Sequence, residues 1–146
     1  MIHALADKMD NVVLHENVAD MRSLISSMDI CVSAAGSTLY EICACGVPLI
    51  TFSTADNQVP GATAFSSLGL AINIGDLREP ESRTVMSGTL DPSAIDRIMR
   101  AAKVLAEDMN TRVMMAKKMQ SIIDGRGAER QAHKLLSRVA KNIKPL

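Results

Sequence analysis

Ile30-Cys31-Val32-Ser33-Ala34-Ala35-Gly36-Ser37-Thr38-Leu39-Tyr40-Glu41 joins a short apolar strand to a helix through a turn of small residues. The helix is predicted from Leu39, Ile42, Cys43 and Gly46, which recur at i, i+3, i+4 and i+7, with Gly46 at a typical C-terminal position. The first N–H groups of a helix lack intrahelical acceptors, and the aligned peptide dipoles place about half a positive charge there. Small side chains at Ala34, Ala35 and Gly36 let a ligand approach the backbone, and the Ser37 and Thr38 hydroxyls add hydrogen bonds. Such a turn can cradle an anionic phosphate. The same residues also support a plainer reading. Thr38-Leu39-Tyr40-Glu41 fits a capping box, in which Thr38 and Glu41 satisfy the helix start by themselves. Neither the dinucleotide fingerprint nor the Walker pattern occurs here.

Working outward, Ile2, Leu5 and Met9 have helical spacing, so the chain starts within or beside a helix. Val12-Val13-Leu14-His15 reads as a strand, and Val18 to Met28 as a helix. A third strand is predicted in Val47 to Ser53 and a fourth in Leu70 to Ile74, with a helix from Asp56 to Leu68 between them. Gly75 to Gly88 reads as a polar connection. Alternating strands and helices predict an α/β, Rossmann-like parallel sheet of about four strands, with helices on both faces. From Asp91 the pattern is helical only. Asp91-Pro92 is an N-cap followed by proline, and Ile95, Ile98, Met99, Ala102 and Leu105 form the expected buried stripe. Further helices are expected over Thr111 to Ile123 and Ala128 to about Asn142, separated by Asp124-Gly125-Arg126-Gly127.

A chain of 146 residues suits a single domain, with an α/β part over 1–90 and C-terminal helices over 91–146. Its 47% hydrophobic and 22% charged residues belong to a globular protein, not a disordered one. No apolar run reaches the ~18 residues of a membrane span, and Asp7 and Asp10 interrupt any leader-like stretch, so a cytoplasmic location is expected. Net charge is zero, yet residues 1–96 hold four Lys/Arg against twelve Asp/Glu and residues 97–146 twelve against four. The basic half has no aromatic residue on which bases could stack, which argues against nucleic acid. Three cysteines offer no disulfide framework, and Cys43 and Cys45 point to opposite sides of a helix, so no metal or cofactor is expected. His3, His15 and His133 belong to no triad pattern, and the ten methionines read as core filler.

The turn is followed, after Gly46-Val47-Pro48, by Asp56-Asn57-Gln58, so both loops fall at the carboxyl ends of strands, where open α/β sheets bind ligands. This pairing resembles the C-terminal nucleotide-sugar domain of the GT-B superfamily. It is most similar to the UDP-sugar hydrolases of pseudaminic acid synthesis and to spore-coat polysaccharide biosynthesis proteins. The peptidoglycan N-acetylglucosaminyltransferases are more distant. The resemblance implies that Ala35, Gly36, Ser37 and Thr38 hold a diphosphate, that Glu41 accepts both ribose hydroxyls, and that Asp56, Asn57 and Gln58 face the sugar or its phosphate. It implies UDP or a UDP-sugar as ligand.

Ala35 stands where these relatives often carry glycine, which is harmless only with negative φ. The family's opening strands and N-terminal domain, which carries the hydrolase's catalytic histidine, have no counterpart in this sequence. No residue here is therefore assigned a catalytic role. A sheet lacking those strands leaves an edge open, which predicts a homodimer, a partner chain or the missing domain beside it. Two other readings stay open: a donor-binding subunit of a split glycosyltransferase, and a non-enzymatic α/β interaction module.

Overall fold

The computed structural model describes residues 2–6, 8–78 and 91–142. Helix α1 (Ile2–Ala6) and helix α2 (Met21–Ser26) precede strand β1 (Cys31–Ala34), helix α3 (Thr38–Cys45) and strand β2 (Leu49–Ser53). A 3-10 turn (Asp56–Gln58) leads into helix α4 (Val59–Ser67) and strand β3 (Ile72–Asp76). Three helices follow: α5 (Ala94–Glu107), α6 (Met109–Ile122) and α7 (Gly127–Asn142). Among the described residues the sheet is parallel with order β1-β2-β3. Parallel neighbours need crossovers, which α3 and α4 supply.

The central strand is buried on both sides. Leu49, Thr51 and Ser53 point one way and Ile50 the other, all shielded from solvent, as expected for a parallel strand covered by helices. Leu39, Ile42 and Cys43 of α3, Ala62 and Phe65 of α4, Ala101 and Leu105 of α5, and Met115 and Met119 of α6 complete the core. Burial pushes the Cys43 thiol up to about 12. Gly46 ends α3 in the left-handed region at φ 73°, and an added Cβ would lie 2.7 Å from the Gln120 amide of α6. Only glycine meets both demands.

Strands β1 and β2 run in simple register from Cys31 opposite Leu49 to Ala34 opposite Phe52. Between β2 and β3 the register shifts: Thr51 faces Asn73 but Ser53 faces Asp76, so β3 carries one extra residue. The bulge holds Gly75 at φ 89°, and the Asn73 side chain accepts its N–H at 2.9 Å.

Several expectations are corrected. Val12-Val13-Leu14 is not a strand: the segment is irregular and exposed, with Val13 at 75%. An apolar run forms a strand only where a neighbour accepts its hydrogen bonds, and none lies beside it. Three strands therefore replace the expected four among the described residues. Asp91 is not the N-cap of α5. Its carboxylate accepts from the Ser93 N–H and hydroxyl in a local turn, and Ser93 occupies the cap. The expected stripe on α5 holds in part: Leu105 is buried and Ile98 and Ala102 are half-buried, but Ile95 and Met99 are exposed, and Ala94 and Ala101 are buried beside them. On the same helix Arg97 is half-buried and donates to the Ile74 and Asp76 carbonyls and to Asp91. Met115 and Met119 are core residues, but Met9, Met21, Met28, Met99, Met109 and Met114 are exposed. Of the expected connection from Gly75 to Gly88, Gly75 and Asp76 belong to β3, and residues 79–88 lie outside the described residues. No described helix is long and apolar enough to cross a membrane.

Asp108 caps α6 by accepting from the Thr111 N–H at 3.0 Å and its hydroxyl at 2.7 Å. The hydroxyl bond first, then the backbone bond, hold its carboxyl below the ordinary 3.8. A depressed folded value means stabilisation that is present above 3.8 and lost as pH falls through the folded value. Asp108→Ala should therefore melt below the wild type at neutral pH, with the gap closing as pH is lowered past that range, read by thermal denaturation across pH.

Candidate functional site at the strand ends

The turn after β1 is tied to the central strand by the Ala35 N–H, which donates to the Phe52 carbonyl at 2.8 Å. Gly36 N–H folds back onto Ala34, while Leu39 and Tyr40 N–H donate to the Gly36 and Ser37 carbonyls at 3.3 and 3.1 Å. These short-range bonds tighten the first turn of α3 and satisfy two amides that a cap would otherwise serve. The Ser37 and Thr38 amides are left without an acceptor among the described residues. The capping box is accordingly not formed. Ser37 is the N-cap and makes no side-chain bond to the helix, and Thr38 already lies inside it. Gly36, Ser37, Thr38 and Glu41 are all exposed. Ala35 is buried and does not share the positive φ that, outside glycine, is found only at Asn17 among the described residues. Its replacement of glycine therefore costs the turn nothing.

Helix α4 passes beside this turn, and a Cβ on Gly61 would lie 3.9 Å from the Ala35 carbonyl. Tyr40 of α3 meets Phe65 of α4 edge to face, with centroids 5.2 Å apart. An open cavity of about 1110 Å³ extends along the flank of α3 past Tyr40, Glu41, Ala44 and Phe65 to the turn before α7.

The loop after β2 closes on itself: the Gln58 side-chain oxygen accepts from the Thr54 N–H at 2.8 Å and hydroxyl at 3.2 Å. Asn57 is exposed. Asp56 accepts from Arg78, which follows β3 and also grips Asp76. Bonds to Asp76 first and Asp56 second raise the Arg78 pKa above its ordinary value, so it is a permanent cation. The structure thus gathers Ala35–Thr38, Asp56–Gln58 and Arg78 at the carboxyl ends of the three strands. Arg78 carries no motif, because only the bulge at Gly75 and the register bring it to the second loop. Among the described residues no three His, Cys, Asp or Glu side chains form a metal set. His3 pairs with Glu16, His15 lies on the irregular segment before α2, and His133 lies on α7.

No family profile matches the chain, and no solved structure matches it. Over 72 residues, 46% of this chain and 20% of the relative, it is 39% identical to the UDP-N-acetylglucosamine--N-acetylmuramyl-(pentapeptide) pyrophosphoryl-undecaprenol N-acetylglucosamine transferase of Exiguobacterium sp.. Over 69 residues, 47% of this chain and 20% of the relative, it is 30% identical to the spore coat polysaccharide biosynthesis protein SpsG of Bacillus subtilis. The match thus spans about a fifth of each curated relative. The partial similarities support a GT-B-like unit related to glycosyltransferases and polysaccharide biosynthesis.

Gly36 has negative-φ-compatible geometry and nothing within 4 Å of a built Cβ. Gly36→Ala should therefore fold with stability changed by no more than about 0.5 kcal/mol. If the turn holds a phosphate, the added methyl obstructs the free amides and should weaken uridine nucleotide binding at least about ten-fold by calorimetry.

Proposed function

We propose that residues 1–146 form one domain whose strand ends hold UDP or a UDP-sugar, as the donor-binding part of a glycosyltransferase or UDP-sugar hydrolase. One observation carries the reading: two acceptor-free amides and two free hydroxyls at Ser37 and Thr38 lie one helical turn from the exposed carboxylate of Glu41. In this reading Ala35, Gly36, Ser37 and Thr38 bind the diphosphate. Glu41 accepts from the ribose diol, and Asn57 and Gln58 face the sugar beside Asp56. Helix-terminal amides match the charge that gathers on UDP as its bond to the sugar breaks. In this reading the base that activates water or an acceptor comes from a second polypeptide segment.

Thermal shift against UDP, UMP, ADP and UDP-N-acetylglucosamine tests the reading. At about 100 times the dissociation constant, ligand should stabilise the fold by roughly 2.7 kcal/mol. No shift with any uridine nucleotide at millimolar concentration overturns it. Glu41→Gln should lower nucleotide affinity at unchanged melting temperature, since the Glu41 carboxylate supports no bond within the fold.

The outer edge of β1 favours a partner. Among the described residues no strand lies against it, and Val32 is 46% exposed. An open edge recruits another strand, from a second copy or from another chain. Light scattering coupled to size exclusion should give a mass above that of one chain for the self-paired form. A clean monomer at high concentration rules out self-pairing.

A further inference from the structure

We propose that Arg78 is the positioning residue of the loop from Thr54 to Gln58, holding Asn57 and Gln58 toward the sugar; this rests on the nucleotide-sugar reading above. The guanidinium is itself held in place. Asp76 accepts from its Nε at 3.1 and 3.3 Å and from its Nη2 at 2.7 Å. The side chains of Arg78 and Asp76 are only 17% and 13% exposed. The same Nη2 donates to Asp56 Oδ1 at 2.7 Å, although the Asp56 side chain is 88% exposed.

An exposed ion pair ordinarily contributes little, because two flexible side chains must be ordered to form it. Here Asp76 has already ordered the cation, so only the short Asp56 side chain loses freedom. A planar fork can serve two carboxylates in fixed directions, whereas a lysine ammonium is a point charge on a mobile stem. Asp56 opens the 3-10 turn, and Gln58 closes it onto Thr54, so a grip on Asp56 fixes the turn between them. Asp56 is then the loop's anchor, with one oxygen committed to Arg78; Asn57 and the amide nitrogen of Gln58, whose oxygen is held by Thr54, are left to meet the sugar.

The test compares wild type, Arg78→Lys, Arg78→Ala, Asp56→Asn and the double variant Asp56→Asn/Arg78→Ala. Without ligand, amide hydrogen exchange at Thr54 and Gln58, which donate to Gln58 Oε1 and the Ala55 carbonyl, should quicken in both Arg78 variants while α3 amides stay unchanged. With ligand, affinity for UDP-N-acetylglucosamine should fall about three- to ten-fold more than affinity for UDP, which lacks the sugar. The double variant should be no worse than the worse single variant, because the two side chains act as one unit. Unchanged loop exchange, or exchange that rises uniformly across the sheet, overturns the proposal, as does an equal loss for UDP and the UDP-sugar. If the wild type binds no uridine nucleotide, the nucleotide reading fails by itself, and loop exchange alone then upholds or overturns the role of Arg78.

Discussion

Everything at the carboxyl end of the sheet hangs from β2. This strand has hydrogen-bonded neighbours on both sides, and its side chains are buried in both directions. A parallel strand in that position cannot slide, because a one-residue slip would exchange its two faces and leave the ladder unpaired. The bond from Ala35 N–H to Phe52 therefore fixes where α3 begins, and the bond from Leu77 N–H to Ser53 fixes where the chain leaves β3. Register brings Ser37, Asp56 and Arg78 to the carboxyl ends of their strands, and the Asp56–Arg78 ion pair joins the second of these loops to the third.

Arg97 does comparable work on the other side of β3. Its guanidinium spans the Ile74 and Asp76 carbonyls and the Asp91 carboxylate, reaching past the bulge where Gly75 leaves room. A cation that satisfies strand-end carbonyls stabilises the irregular exit of β3 without a further strand. It lies on the side of α5 that meets the sheet, and Ile95 and Met99 of that helix face water.

The βαβαβ core and the small-residue turn were legible because period and punctuation agreed: apolar triplets for strands, a 3.6-residue stripe in α3, and glycine at its end. The misreadings have separate physical causes. Val12-Val13-Leu14 has strand composition but lacks a neighbour, and pairing cannot be read from one segment. The stripe of α5 rests on hydropathy, which places Leu105 correctly but leaves out Arg97, a half-buried cation bonded to strand-end carbonyls that hydropathy assigns to solvent. The capping box matched as a pattern, yet the helix starts one residue earlier, with Ser37 at the cap and Thr38 already inside it. Arg78 was invisible for a related reason, because its role depends on one extra residue in β3 and on contacts across 22 positions of sequence.

Cys43 and Cys45 lie two residues apart on α3, one sealed in the core and the other partly exposed. Burial pushes the Cys43 thiol up to about 12 and so keeps it in the unreactive protonated form. Alkylating reagents attack thiolates, so Cys43 becomes available where the folded core opens, whereas Cys45 is already partly exposed. The helix that begins at the small-residue turn thus ends in a matched pair of chemical clocks, one timing access and the other timing the lifetime of the folded core.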